Sequence, residues 1–340
     1  MNMKRIIPPL GKETLLSELT EDKFIRKTNK GGNLLYIVDS DNSPNLLREI
    51  GRLREVAFRA AGGGTGKDCD LDDYDFGENG YKQLIVWDPD QQEILGGYRF
   101  LICNKAPSPA GGEVKLATAK LFHFSEAFKK EYLPHMIELG RSFVQPMYQS
   151  TNLRRKGLYA LDNLWDGLGT LVMDHPEIKY FFGKVTMYLH YHQHARDMIL
   201  FFLNKHFPDH DKLVVPKEPL RVLMDPKKLD AIFTGSDYME DYKILSKEVR
   251  ALGESIPPLI NAYMSLSPSM RSFGTVMNHS FGEVEETGIM ITVNDLYKNK
   301  VERHLSNYVP KHLRMIKNLN LRDTYLNDLF KRFRFNKHEN

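Results

Sequence analysis

Three arginines and three aspartates recur against apolar neighbours along the first half of the chain, with a glutamate beside the last arginine. Arg54 lies in LREVAFR, with Phe58 one helical turn later. Asp70, Asp72 and Asp75 follow in DLDDYD, Arg99 closes Gly96-Gly97-Tyr98-Arg99, and Glu138-Leu139-Gly140-Arg141 comes next. Ile137, Leu139, Phe143 and Val144 surround Glu138 and Arg141; Leu95, Phe100, Leu101 and Ile102 surround Arg99. Burying such charges is costly unless they are paired and hydrogen-bonded. The three arginines and their acids are therefore expected to form one network. Clustered charges held out of water have the perturbed acid–base behaviour that active sites use, with purely structural ion pairing as the alternative.

Other motifs carry less. Arg154-Arg155-Lys156-Gly157 precedes a helical stretch, where backbone N–H groups and the helix dipole favour an anion. His190, His192 and His194 alternate, but no cysteine or second matched pair accompanies them, so no metal is expected. Asp68, Asp70 and Asp72 imitate the start of a calcium loop, yet Asp73 and Asn79 stand where it needs Gly and Glu. The Gly62–Gly66 run lacks the spacing of a phosphate loop and reads as a closing loop over the site.

These residues need elements to position them. Leu34–Val38, Lys82–Trp87, Glu93–Cys103, Met136–Gln145, Tyr180–Tyr188 and Gly288–Val293 read as strands. Helices are expected from Ser43-Pro44 to about Ala61, near Ser125–Tyr132, over Leu158–Met173, over Ala195–His206 and over Ile256–Leu266. Mixed strands and helices in this order give an α/β (α+β) class. Residues 1–30 read as a loose lead-in, 31–295 as the domain with 208–255 as an insertion, and 296–340 as a helical tail.

At 340 residues, 41% hydrophobic and 27% charged, the chain can bury a substantial core. Two cysteines, Cys69 and Cys103, make no disulfide framework and fit a reducing compartment. The basic start reaches Pro8 and Pro9 without an apolar stretch, and no apolar run is long enough to span a bilayer, so a cytoplasmic protein is expected. The net charge is +3, but the tail from Leu296 holds eleven Lys/Arg against four Asp/Glu. Such a tail suits an anionic partner: an acidic protein or a membrane surface, the latter favoured by the interleaved Lys331-Arg332-Phe333-Arg334-Phe335. No motif for reading nucleic acid accompanies it.

In order, the Arg–Phe helix, D-x-D-x-x-D, G-x-Y-R, E-L-G-R and Leu164-Trp165-Asp166-Gly167-Leu168 resemble the GNAT acyltransferases. The resemblance is to the branch that N-acylates amino acids from acyl carrier protein, which includes the glycine-lipid and ornithine-lipid enzymes often called hemolysin-like. PPLINAYMSL and HSFGEVEETGIMITVNDLY are similar to that branch's closing segments. The resemblance implies a mixed, mostly antiparallel sheet flanked by helices, with two central strands, 137–145 and 180–188, splayed around a pantetheine arm. It implies Glu138 as general base, directly or through water, with pairing to Arg99 or Arg141 as the structural alternative. Arg99 and Arg141 would bind the acceptor carboxylate, and a backbone N–H near Phe143 or Val144 would meet the oxyanion. Arg54, Phe58, Asp70, Asp72, Asp75 and Trp165 would complete the substrate site, and Arg154, Arg155 and Gly157 would hold the phosphate of the arm. Tyr159 replaces the small residue usual at the end of that phosphate loop, which favours acyl-phosphopantetheine over acyl-CoA; no tightly bound cofactor is expected. The expected acceptor is glycine, then ornithine. The alternatives are an acyl-homoserine-lactone synthase and a non-enzymatic, membrane-active protein carried by the basic tail; the enzyme reading expects chemistry to survive removal of residues 296–340.

Overall fold

The structure is a computed structural model that describes residues 3–77, 79–106, 114–149, 159–314, 316 and 319–334. Its main sheet is built from β1 (Phe24–Lys27), β2 (Leu34–Val38), β3 (Lys82–Asp88), β4 (Glu93–Ile102), β6 (Met136–Val144), β7 (Tyr180–Tyr188), β9 (Arg271–Asn278) and β10 (Val284–Thr292). The strand order is β1-β2-β3-β4-β6-β7-β10-β9, while β5 (Phe122–Phe124) and β8 (Val214–Pro216) form a separate pair. Every neighbour in the main sheet is antiparallel except β6 and β7.

Alternation along β3 shows how the layers form, since successive strand residues face opposite sides. Leu84 and Val86 join a cluster with Leu164, Leu168 and Val172 of the helix Ala160–Asp174. Ile85 and Trp87 join Leu46, Ile50, Leu53 and Phe58 of the helix Pro44–Ala60 on the other face. The sheet thus lies between helical layers. Asp88 turns the chain from β3 into β4 by accepting from the N–H groups of Asp90 and Gln91, at 2.9 and 3.2 Å.

Two expectations need correction. The lead-in is not loose: Lys12–Glu18 is helical and Phe24–Lys27 is the edge strand β1. Its Glu18 carboxylate, not Ser43, caps the Pro44–Ala60 helix, accepting from Asn45 N–H at 3.1 Å and Leu46 N–H at 2.8 Å. Within residues 208–255, Leu229, Phe233, Leu245 and Val249 are buried in the main core. The tail packs on the domain as well. Val301, Leu305, Tyr308 and Phe333 enter that core, and Arg332 donates to the carbonyls of Val172, Pro176 and Ile178.

The LWDGL segment explains this docking. Asp166 accepts from the backbone and side-chain nitrogens of Asn29 at 2.8 and 3.0 Å and lies 2.8 Å from His304 Nδ1, tying lead-in, helix and tail together. Gly167 is small because a Cβ there would sit 2.6 Å from Leu84 Cδ2 of β3.

No helix among the described residues is long and apolar enough to cross a membrane.

Candidate active site

The centre of the sheet is a fork. Parallel β6 and β7 pair at Met136–Tyr180, Ile137–Phe181, Glu138–Phe182 and Leu139–Gly183, and there the pairing stops although both strands run on. At the last pair the strands are so close that a Cβ on Gly183 would lie 2.6 Å from the Leu139 carbonyl oxygen. Immediately beyond, β6 carries a bulge: Gly97–Arg99 of β4 spans Phe143–Gly140, one residue too many. Arg141 absorbs the irregularity in a left-handed conformation, φ 51°. The splayed strands inferred by resemblance are therefore present.

Two cavities meet at the fork. One, of about 340 Å³, is lined by Asp70, Asp72, Tyr81, Arg99, Glu138 and Lys120 among others. The second, of about 530 Å³, lies along the opened strands and is largely apolar, with Phe58, Phe143, Val144, Leu161, Leu164 and Leu259 in its wall. Both are within the size range of small-molecule sites. Gly140, Arg141, Lys184 and Phe281 line both cavities.

The expected charge network exists, and Glu138 is outside it. Arg54, fully buried, donates to Asp75 at 3.2 Å and to Gln83. Arg99 Nη1 bridges Asp72 and Asp75 at 2.6 and 3.1 Å. Arg141 Nε lies 2.8 Å from Asp70 Oδ2, and its Nη2 3.6 Å from Asp72. The carboxylates beside Arg99 raise its already high pKa despite the opposing cost of burial, so it stays charged. Asp75 is held below the usual carboxylate range: its burial acts the other way, but Arg54 and Arg99 outweigh it.

Glu138, 1% exposed, pairs with neither arginine. Its oxygens accept from the Tyr81 hydroxyl and from the N–H groups of Ala117 and Thr118, at 3.2 and 2.9 Å. Burial, then the adjacent carboxylate, pushes the Tyr81 hydroxyl well up, so it remains a donor. The Tyr81 ring also lies under Arg99, 5.2 Å from its guanidinium carbon. Tyr81 thus connects a carboxylate that has no ion pair among the described residues to the arginine network.

Several predicted positions lie away from the two cavities or outside the described residues. Arg54 and Asp75 line neither cavity and brace Arg99 from behind. Trp165, expected at the substrate, packs edge-on against Tyr263 in the core, centroids 5.6 Å apart. Phe58 does reach the apolar cavity and meets Phe281 edge-on at 5.0 Å. Arg154, Arg155 and Gly157 lie outside the described residues. The Gly62–Gly66 loop is pinned by Glu55, which accepts from Thr65 and Gly66 N–H at 3.0 and 2.8 Å. His190 stacks on Tyr188, and among the described residues no group of three or more His, Cys, Asp or Glu is placed to hold a metal.

Sequence reasoning missed Tyr81, Lys184 and Glu286. Lys184 Nζ is bonded to Glu286, which also accepts from Asn278 Nδ2 at 3.0 Å. The Lys–Glu pair is split between β7 and β10, so no local motif announces it.

A mixed sheet forked at its parallel seam, with a charged cavity and an apolar one sharing a wall there, has the architecture of the GNAT fold. Residues 53–156 match the model of the acetyltransferase (GNAT) domain family. Over 310 residues the chain is 58% identical to a glycine N(alpha)-acyltransferase of Phocaeicola vulgatus, covering 91% of this chain and 95% of the relative. It is 57% identical to the glycine N(alpha)-acyltransferase of Bacteroides thetaiotaomicron, covering 91% and 92%. Among solved structures, FeeM, an N-acyl amino acid synthase from uncultured soil microbes, aligns at a TM-score of 0.33 and 10% identity, over 77% of this chain and 91% of that one. The CoA-dependent acyl-homoserine lactone synthase BjaI aligns at 0.26 and 13%, over 49% and 72%. The chain belongs to the family of the two glycine N(alpha)-acyltransferases, and it is an amino-acid N-acyltransferase.

Proposed function

We propose that this enzyme moves a fatty acyl chain, in 3-hydroxyacyl form, from the phosphopantetheine thioester of acyl carrier protein to the α-amine of glycine. The observation that carries the reading is the junction: an apolar cleft between opened strands meets a charged cavity containing a buried carboxylate. The thioester carbonyl is assigned to that junction, with the acyl chain and arm along the cleft and the amino acid in the charged cavity.

Glu138 receives a proton from the acceptor ammonium, directly or through one water, leaving a neutral amine to attack. Tyr81, Ala117 and Thr118 hold the carboxylate in one orientation while it does so. Arg99 and Arg141 face the acceptor carboxylate, and Asp70, Asp72 and Asp75 fix their directions. Past Leu139 the edge of β6 toward β7 has no strand partner, which supports a backbone N–H near Phe143 or Val144 as the oxyanion donor. Arg154, Arg155 and Gly157 are assigned to the phosphate of the arm on sequence grounds. Glycine as acceptor rests on the two relatives.

The test is mass spectrometry of purified enzyme with 3-hydroxypalmitoyl-acyl carrier protein or 3-hydroxypalmitoyl-CoA and a mixture of amino acids. N-acylglycine formed faster from the carrier protein is the expected product. Predominant N-acylornithine would replace the acceptor, and faster turnover with CoA would replace the donor.

A further inference from the structure

The Lys184–Glu286 pair sits where the two cavities join and has no part in the reading above. Lys184 follows Gly183, the last residue paired across the fork, and lines both cavities. Its side chain is only 13% exposed. The charged groups around it come from three other strands: Glu286 of β10, to which it is bonded, Arg141 of β6 and Arg99 of β4. The Phe281 ring lies 6.0 Å from Nζ. Asn278 holds the far partner, Glu286, in place.

A buried Lys–Glu pair adds little to stability compared with an apolar pair of the same volume. Its position therefore calls for a chemical explanation. Acyl transfer from a thioester leaves one: the acceptor ammonium must lose two protons, and the departing sulfur must gain one. Glu138 lies on the acceptor side of the junction and accounts for one proton.

We propose that Lys184 is the general acid of this acyl transfer, donating a proton to the leaving thiolate; the assignment rests on the acyltransferase reading and deepens it. The neutral amine attacks the carbonyl carbon, forming the C–N bond while the carbonyl electron pair moves onto oxygen. As the C=O bond re-forms, the C–S bond breaks with its electron pair on sulfur, and sulfur takes a proton from Lys184 Nζ. The neutral lysine recovers a proton from the nitrogen of the nascent amide. One acceptor proton has then gone through Glu138 to solvent, and the other ends on the thiol. Burial of Lys184, opposed by Glu286 and reinforced by the two nearby arginines, lowers its pKa and makes it a readier donor than a solvated lysine.

The test compares two donors carrying the same acyl chain: an alkyl thioester, acyl-phosphopantetheine, and an aryl thioester whose thiolate leaves without protonation. Lys184→Arg keeps a cation beside Glu286 but cannot give up its proton. The double variant Lys184→Met/Glu286→Gln removes both charges and leaves neither stranded, with folding checked by circular dichroism. Both variants are expected to lose about 10²-fold in kcat on the alkyl thioester, the lower end of general acid–base effects. On the aryl thioester the loss should be several-fold at most. Equal loss on both donors, full rate in Lys184→Arg, or no loss at all would overturn the proposal and leave the pair a structural role. Wild-type enzyme that forms no N-acyl amino acid from either donor would instead overturn the acyltransferase reading, and the role of Lys184 with it.

Discussion

Glu138 owes its definition to three donors and to the absence, among the described residues, of a cation bonded to it. Glu138→Gln keeps the shape and one acceptor oxygen but turns an amide N–H₂ toward a donor, which costs about 1–3 kcal/mol of stability. Turnover should fall about 10²-fold or more at temperatures where the variant remains folded, a separation that kcat alongside a thermal melt will show. A second residue gives a pH dependence. Cys69 is pushed up to about 11, by burial first and then by Asp70 and Asp68. The unfolded chain gives up this proton near its ordinary value of 9.0, while the folded chain retains it. The unfolded state thus binds fewer protons, so the Cys69 contribution to stability is lost as pH rises from about 9 to about 11. Alkylation of Cys69 by iodoacetamide at pH 8 should accordingly run about 10²-fold slower in native than in denatured protein, measured by mass spectrometry. At this scale the sequence was informative where charge broke an apolar run: Arg54, Asp70, Asp72, Asp75, Arg99 and Arg141 do form one network. It was silent on Lys184, because in YFFGKVTMY a lysine occupies an alternating position that also suits a solvent-facing side chain.

At the level of elements, the fork depends on how closely two strands approach before they separate. Gly183→Val would drive a Cβ into the Leu139 carbonyl and disturb both the last parallel pair and the position of Lys184. It should cost about 1–3 kcal/mol through overpacking and lower kcat/KM well beyond the loss of folded protein, as the melt and the initial rates together will show. The strands from Leu34, Lys82, Met136 and Tyr180 were legible because each is a bounded apolar run. β1 and β9 were not. FIRK is short and half charged, and RSFGTVMN has a glycine in its middle, so neither carries a pattern that outweighs its polar content. Trp165 sits in the core against Tyr263. A tryptophan in a motif looks like a ligand contact, yet here the motif's Gly167 and Asp166 serve helix packing and the junction with the tail.

For the whole molecule, the basic tail looked separable because its charge departs from that of the body. Charge describes its outer face only. Removing residues 296–340 would take away the buried side chains of Val301, Leu305, Tyr308, Leu313 and Phe333, expose the surface they cover, and leave Asp166 without His304. Each buried apolar side chain contributes about 1.5–3 kcal/mol, against a net stability of about 5–15 kcal/mol for a typical domain. The truncated chain is expected to lose its cooperative thermal transition and its activity together, where simple loss of a docking segment would leave the melt intact. Exposed basic side chains of the tail include Lys331 and Arg334, 76% and 78% exposed, which pair with Asp328 and Asp295.

The joined cavities also dictate the order of events. In the proposed reading donor and acceptor occupy different chambers, whose walls share Gly140, Arg141, Lys184 and Phe281, so neither has to leave before the other enters. Cys103 is buried, and Cys69 faces a separate groove beside Leu47 and Phe76, so neither thiol can relay the acyl group. Reciprocal plots of rate against glycine at several donor concentrations should therefore intersect instead of running parallel. Enzyme mixed with donor alone should release no stoichiometric burst of free thiol.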